Sequence, residues 1–282
     1  MNSRVAPLLC LISLTATGCI IPDDATPSVS LSSVLATKFV HRGMTQSENG
    51  VMQPKLAVGL PTTSGDSVTL TAQGNMDLSD DNGDAWFPRG HGGRFSEIDF
   101  VGAYTHRFED VSVFSWLQLG APTVTGGLFN YNLPNGLEFP FGERGATSEF
   151  LVEGQMQLSE RYFSIVPSLA IHYDFDEVEG FYIRTGVERA FPINEKLTIT
   201  SDLGLAWMDG DQAFWNFAEP GSSGLGDLTL RGTAEYIIDD HTTATGFLAY
   251  STLLASAYRD WFDLIGINPD QLFLGLGVRW SY

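Results

Sequence analysis

Charge is scarce in this 282-residue chain, at 17% of residues, and basic charge is scarcer still: 15 lysines and arginines stand against 34 aspartates and glutamates. The resulting formal net charge of −19 excludes the basic patch that a nucleic-acid partner requires. Cysteine is nearly missing. Cys10 lies inside the N-terminal apolar run, so losing that run would leave Cys19 alone and exclude an intramolecular disulfide. Beyond the first twenty residues no apolar run reaches the length of a membrane-crossing helix, which excludes an ordinary helical membrane protein. A catalytic constellation is missing as well. The five histidines, at 41, 91, 106, 172 and 241, fall far apart, with no HExxH spacing and no nucleophile elbow, so neither an enzyme nor a cofactor is predicted. Glu149 and Glu153 are spaced to pair as carboxylates, but facing arginines are the commoner explanation of such a pair.

What the chain has is alternation. From Leu272 to Tyr282, Leu272, Leu274, Leu276, Val278, Trp280 and Tyr282 are apolar at every second position, with Phe273, Gly275, Gly277, Arg279 and Ser281 between them. That is strand spacing with two unlike faces, suited either to lipid outside and a wet lumen inside or to the edge of a soluble sandwich. Similar runs recur at about 29–41, 52–60, 67–76, 95–107, 111–120, 147–157, 162–173, 180–189, 197–208, 225–237, 242–254 and 271–282. About twelve strands is an even count, as a bacterial single-chain barrel needs for both termini to share the periplasmic side. Loop length then decides between barrel and sandwich. The connections at 61–66, 108–110, 159–161, 190–196 and 238–241 are short, and those at 42–51, 77–94, 121–146, 208–224 and 255–270 are long, with 174–179 a partial exception. Sorting of loops by parity is what short periplasmic turns and long outer loops produce. The expected fold is all-β: one closed antiparallel up-and-down transmembrane β-barrel over 29–282.

Alternation assigns faces. Leu56, Val58, Val68, Leu70, Ile98, Phe100, Tyr104, Phe163, Ile165, Leu169, Ile171, Leu228, Leu230, Leu274 and Leu276 are expected outside. Expected inside, and so the candidate pore lining, are Lys38, Arg42, Lys55, Glu97, Asp99, Glu149, Glu153, Arg184, Glu188, Asp202, Asp227, Arg231, Glu235 and Arg279, with Arg107 beside them. Acid and base are nearly balanced in that set, so most of the net negative charge falls to the loops. A balanced lumen reads in two ways: a self-satisfied lattice with little open space, or a narrow selective channel. Pro167 falls in mid-strand, where its missing N–H predicts a bulge or local break.

Arg4 followed by the apolar run 5–14 reads as a signal peptide over 1–18. Ala16, Thr17, Gly18 and Cys19 resemble a bacterial lipobox with Ala16 in place of the usual Leu, which makes Cys19 the candidate lipidation site and 19–28 a lipidated leader; plain secretory cleavage nearby and an untouched Cys19 are the alternatives. Asp80, Asp81 and Asp84 around Gly83 hint at a calcium loop, but Leu78 stands at the first ligand place and no Glu follows at the twelfth, so a solvated acidic loop is the simpler reading. A looser divalent site shared with Asp174, Asp176, Glu177 and Glu179 would need the two loops to meet. Aromatic clusters at Trp86 and Phe87, at Phe129, Tyr131, Phe139 and Phe141, at Phe214, Trp215 and Phe217, and at Tyr258, Trp261 and Phe262 read as an outer girdle or loop packing before carbohydrate stacking.

The stretch 30–60, with Ala36, Lys38, Phe39, His41, Arg42, Gly43, Met44, Thr45, Gln46 and Ser47 leading to Gln53, Pro54 and Lys55, resembles the opening of the TorF-like family of proteobacterial porins, a strand ending in an aromatic residue, any residue, then Arg-Gly. Glu97, Ile98, Asp99, Phe100, Gly102 and Tyr104 are similar to its later acidic and apolar strand. The resemblance implies an outer-membrane barrel with a pore role and names no substrate. The expectation is therefore a lipid-anchored barrel in the outer membrane of a Gram-negative bacterium, both termini periplasmic. It would act as a passive channel for small polar solutes, or else as a non-conducting envelope-structural or surface-binding lipoprotein. Its partners would be membrane lipid and lipopolysaccharide.

Overall fold

A computed structural model describes residues 26–62, 65–81, 90, 92–109, 111–114, 117–133, 137–139, 142–144, 146–160, 163–217 and 222–282. The signal segment, Cys19, most of its leader, and Asp84 lie outside the described residues. The rest forms a closed antiparallel β-barrel. Its twelve strands are β1 (Ser28–Ala36), β2 (Val51–Pro61), β3 (Ser67–Asp77), β4 (Phe95–Arg107), β5 (Thr123–Asn132), β6 (Thr147–Gln155), β7 (Phe163–Asp174), β8 (Phe181–Pro192), β9 (Leu197–Met208), β10 (Gly224–Ile237), β11 (Thr242–Leu253) and β12 (Asp270–Ser281). Each pairs with its neighbours in sequence, and β1 closes the circle on β12 from Ser30–Ser281 to Ala36–Gly275. Closure removes the unpaired edge that an open sheet of this size would expose.

The register carries the alternation right round the barrel. Leu31 stands beside both Leu56 and Trp280, Leu70 beside Gly102, Phe150 beside Tyr173, Leu203 beside Leu230, and Leu248 beside Leu274. These outward side chains are exposed, Leu276 at 67% and Leu230 at 52%, whereas the large fully buried side chains include Tyr258, Phe217 and Phe262 on helices at one end. An apolar exterior around a polar interior inverts a soluble core.

One end carries the connections 62–66, 193–196 and 238–241, and is called here the turn end; the opposite loop end carries 37–50, 78–94, 133–146, 209–223 and 254–269. The turns are built locally: Asp239 accepts the backbone N–H groups of His241 and Thr242 at 2.9 Å, and Asn194 does the same for Lys196 and Leu197. At the loop end, helix α1 (Gly210–Phe217) begins where Asp209 Oδ1 accepts the Gln212 N–H at 3.0 Å. Helix α2 (Ser256–Ile265) ends at Gly266, whose φ of 78° suits the left-handed C-terminal position. Phe217 of α1 packs on Tyr258 and Phe262 of α2, and with Met208 and Leu253 they form the main apolar cluster.

Two expectations need correction. The run 111–120 is not a barrel strand: Val111–Phe114 and Leu117–Leu119 form a small hairpin at the turn end, extended by Leu158–Glu160. The fifth wall strand is Thr123–Asn132, which sequence reading placed in an outer loop because Gly126, Gly127, Asn130 and Asn132 dilute its alternation. Phe129 and Tyr131 accordingly belong to the wall and not to a loop girdle. The second correction is at β1, which stops at Ala36; Lys38 lies beyond it in the connection, and Arg42 at the turn of an inserted hairpin. At Pro167, β7 runs on without a bulge and pairs continuously with β8, while its ladder with β6 lapses between Gln155–Ser168 and Leu158–Ile165 and resumes in the same register. The missing N–H interrupts one side only.

Candidate functional site

Between β1 and β2 the chain makes a two-stranded hairpin, Phe39–His41 against Met44–Ser47. Its two-residue turn is Arg42–Gly43, with φ of 50° and 77°, the double positive φ of a type I′ turn. The hairpin reaches across the lumen. Met44 packs against the cluster of Tyr182, Met208 and Leu253, and all of Met44–Ser47 is buried. At the tip, a Cβ on Gly43 would come 2.5 Å from Leu253 Cδ2 and 2.9 Å from Asp227 Cβ on the far wall, so only glycine fits. Ser47 donates to Asp77 on β3, and Lys38 Nζ bonds Gln271 on β12 at 2.9 Å and Glu48 at 3.0 Å.

Arg42 is held by a fork on Glu149 of β6, Nη1 to Oε1 at 2.5 Å and Nη2 to Oε2 at 2.6 Å. Both side chains are nearly sealed, 7% and 2% exposed. Glu149 Oε2 also accepts from Tyr131 OH at 3.2 Å and lies 3.1 Å from His172 Nδ1, so its lone pairs are filled. The guanidinium carbon stands 4.4 Å from the centre of the Tyr182 ring, whose hydroxyl donates to Asp227 at 3.1 Å. A planar, always charged group with two parallel donors is the side chain best suited to this clamp.

The predicted inward residues thus fall into two tiers. Near the loop end, Glu97, Asp99, Glu149 and Asp227 are buried around the hairpin. Toward the turn end the side chains are water-accessible: Arg184 donates to Asp202 at 2.6 Å, Arg279 pairs with Glu235 at 3.1 Å, and Arg231 lies 4.0 Å over the Phe247 ring. Lys55, Glu153 and Glu188 make no ion pair among the described residues. Two cavities flank the hairpin. One, of about 480 Å³, is lined by Lys55, Gln73, Glu97, Asp99, Tyr131 and His172 among others; the second, of about 260 Å³, by Lys38, Thr229, Arg231 and Phe273. The hairpin residues Phe39, Val40 and Arg42 belong to both.

Over the mouth, Arg259 of α2 grips Asp270 at the head of β12 through two bonds of 3.1 and 3.0 Å and reaches the Leu253 carbonyl at 3.0 Å. Donating to the Asp270 carboxylate holds the Arg259 guanidinium above its ordinary pKa. Asp80 takes the Gly92 N–H on its carboxylate at 3.0 Å, and the backbone carbonyl of Asp81 accepts from the Asn49 side chain; among the described residues no three acidic, histidine or cysteine side chains converge on a metal. Asp174 likewise accepts the N–H groups of Asp176 and Val178 within its own turn. Sequence reasoning missed Tyr131, His172 and Tyr182 as parts of the site. Their inward positions, on the same face as Glu149 and Arg184, were the available signal.

No family model matches the chain, and no curated protein matches it either, so the TorF-like resemblance stays with the residues that carry it. Among solved structures, the chain is similar to an outer membrane channel from Pseudomonas putida F1, at 9% identity and TM-score 0.49, covering 94% of this chain and 97% of that one. It is also similar to the NanC porin, at 10% identity and TM-score 0.48 over 89% and 98%, and to the KdgM porin, at 9% identity and TM-score 0.46 over 90% and 99%. With each TM-score below 0.5, these likenesses add nothing to what the lumen itself displays.

Proposed function

We propose that this barrel is a narrow passive channel for small polar solutes in the outer membrane of a Gram-negative bacterium, with both chain ends periplasmic and the 37–50 hairpin as its constriction. The observation that carries the reading is the wet, charged turn-end tier leading to two cavities that share the hairpin as a common wall. An apolar exterior such as Leu31, Leu230 and Leu276 supports the membrane setting. Facing rows of arginine and carboxylate order a solute without binding it tightly, as conduction requires. Purified protein in a planar bilayer should give small single-channel steps, and liposomes carrying it should swell with sugars up to a low size limit. No conductance at any voltage tested would overturn the channel.

A second reading has its own support: the sealed Arg42–Glu149 fork and the two helices packed over the mouth fit a non-conducting envelope-structural or surface-binding barrel. Acidic loops of that barrel would engage lipopolysaccharide through divalent ions, and an unchanged melting temperature with EDTA would count against it. Lipid attachment at Cys19 is part of the same proposal. Mass spectrometry of the membrane-extracted protein before and after Cys19→Ala tests it, and an unmodified Cys19 would end it.

A further inference from the structure

The wall of the larger cavity carries a buried acidic pair, Asp99 and Glu97, and an exposed Lys55. Asp99 of β4 is 3% exposed; its Oδ2 accepts from Gln73 Nε2 at 3.1 Å, while Oδ1 is buried with no hydrogen-bond partner. Glu97, one inward step along the same strand and 4% exposed, lines the same cavity with its carboxyl against that of Asp99. Lys55 of β2 also lines it and makes no ion pair among the described residues. The other cation on this wall, Arg42, is fully engaged by Glu149. Register sets the spacing: Lys55 sits beside Gln73 and Gln73 beside Asp99, which puts the two charges two strand spacings apart, about 9.6 Å at the backbone.

Two buried carboxyls in contact need a donor between them, and in a cavity a ligand ammonium supplies it in place of a shared proton. A small anion would meet Lys55 but be repelled by Glu97 and Asp99. A simple cation would meet the carboxyls but make no use of Lys55. A molecule carrying an ammonium at one end and a carboxylate at the other spans both, and about 480 Å³ lies within the range of small-ligand sites. The rings of Phe129, Tyr131 and Tyr182 supply apolar wall for the part between.

We propose that this cavity recognises small zwitterions of amino-acid or dipeptide size, Asp99 with Glu97 receiving the ammonium and Lys55 the carboxylate. The inference deepens the channel reading and rests on it only for the claim that the bound solute crosses. The test uses the full-length protein in detergent micelles, titrated by saturation-transfer NMR with glycylglycine, its N-acetylated form and its C-terminal amide. Glycylglycine should bind at least about tenfold more tightly than either blocked form, the scale of one charged hydrogen bond. Asp99→Asn should abolish the advantage over the N-acetylated form, and Lys55→Gln, at an exposed position that folding does not need, the advantage over the amide. Equal binding of all three, no binding of glycylglycine, or unaltered ratios in Lys55→Gln would overturn the site. Liposome swelling separates the two claims: selective binding without swelling sinks the channel alone, and swelling governed by size alone without binding sinks the site alone.

Discussion

The two tiers of the lumen use the same pairing, arginine on carboxylate, to opposite ends. Around the hairpin, Arg42 and Glu149 are nearly sealed from water, and Glu149 Oε2 also meets Tyr131 and His172. Toward the turn end, Arg184 with Asp202 and Arg279 with Glu235 are between about a quarter and a half exposed. Burial makes the first pair a fastener: breaking one side strands a charge in a place water does not reach. Exposure makes the second set a tunable field, individually weak and screened by salt. One lumen thus holds both a satisfied lattice and a water-accessible set of charges, at different depths.

Glu149→Ala, which orphans Arg42, should destabilise the barrel by about 3–5 kcal/mol in a guanidinium titration and raise conductance as the hairpin unseats. If stability were unchanged, the upper tier would be no fastener. Gly43→Ala places a Cβ against Leu253 and at a positive φ, so a loss of roughly 1–3 kcal/mol and a larger single-channel step are expected. Arg184→Ala should change stability by less than about 1 kcal/mol yet shift reversal potential toward cations, an effect that fades between low and high salt. A shift that survives high salt would place Arg184 in the buried class.

The smallest effect belongs to a turn. The backbone N–H of His241, and then that of Thr242, hold the Asp239 carboxyl below the ordinary carboxylate range. A depressed folded value means this contribution is present above the unfolded carboxylate range, near about 3.9, and fades as pH falls below it. Asp239→Asn should therefore flatten the acid limb of the unfolding curve slightly; a steeper limb would contradict the sign.

How much of this could be read in advance depended on whether a local pattern carried it. Strands such as Phe95–Arg107 and Leu197–Met208 were legible to the residue, because apolar side chains fill most of their outward places. The segment Thr123–Asn132 was not, since its outward places hold glycine and asparagine, while 111–120 alternates well but pairs only as a rim hairpin. In the site, parity put Glu97, Asp99, Glu149 and Asp227 on the inner face, yet gave no depth, and burial is what separates the tiers. The inward fold of 37–50 depends on Arg42 finding Glu149, 107 residues away, and no local signal encodes such a meeting.

The hairpin is rooted on both sides by a few residues, Thr37–Lys38 before it and Glu48–Gly50 after it, so it cannot swing out as a long lid does. Access past it must come from brief local release of the tip and its return. With a gap of a few kcal/mol between seated and released forms, the released one occupies about 0.1–10% of the time. Electrical recordings should then show long silences broken by short bursts, the dwell time of each burst reporting how quickly one guanidinium finds its carboxylate again.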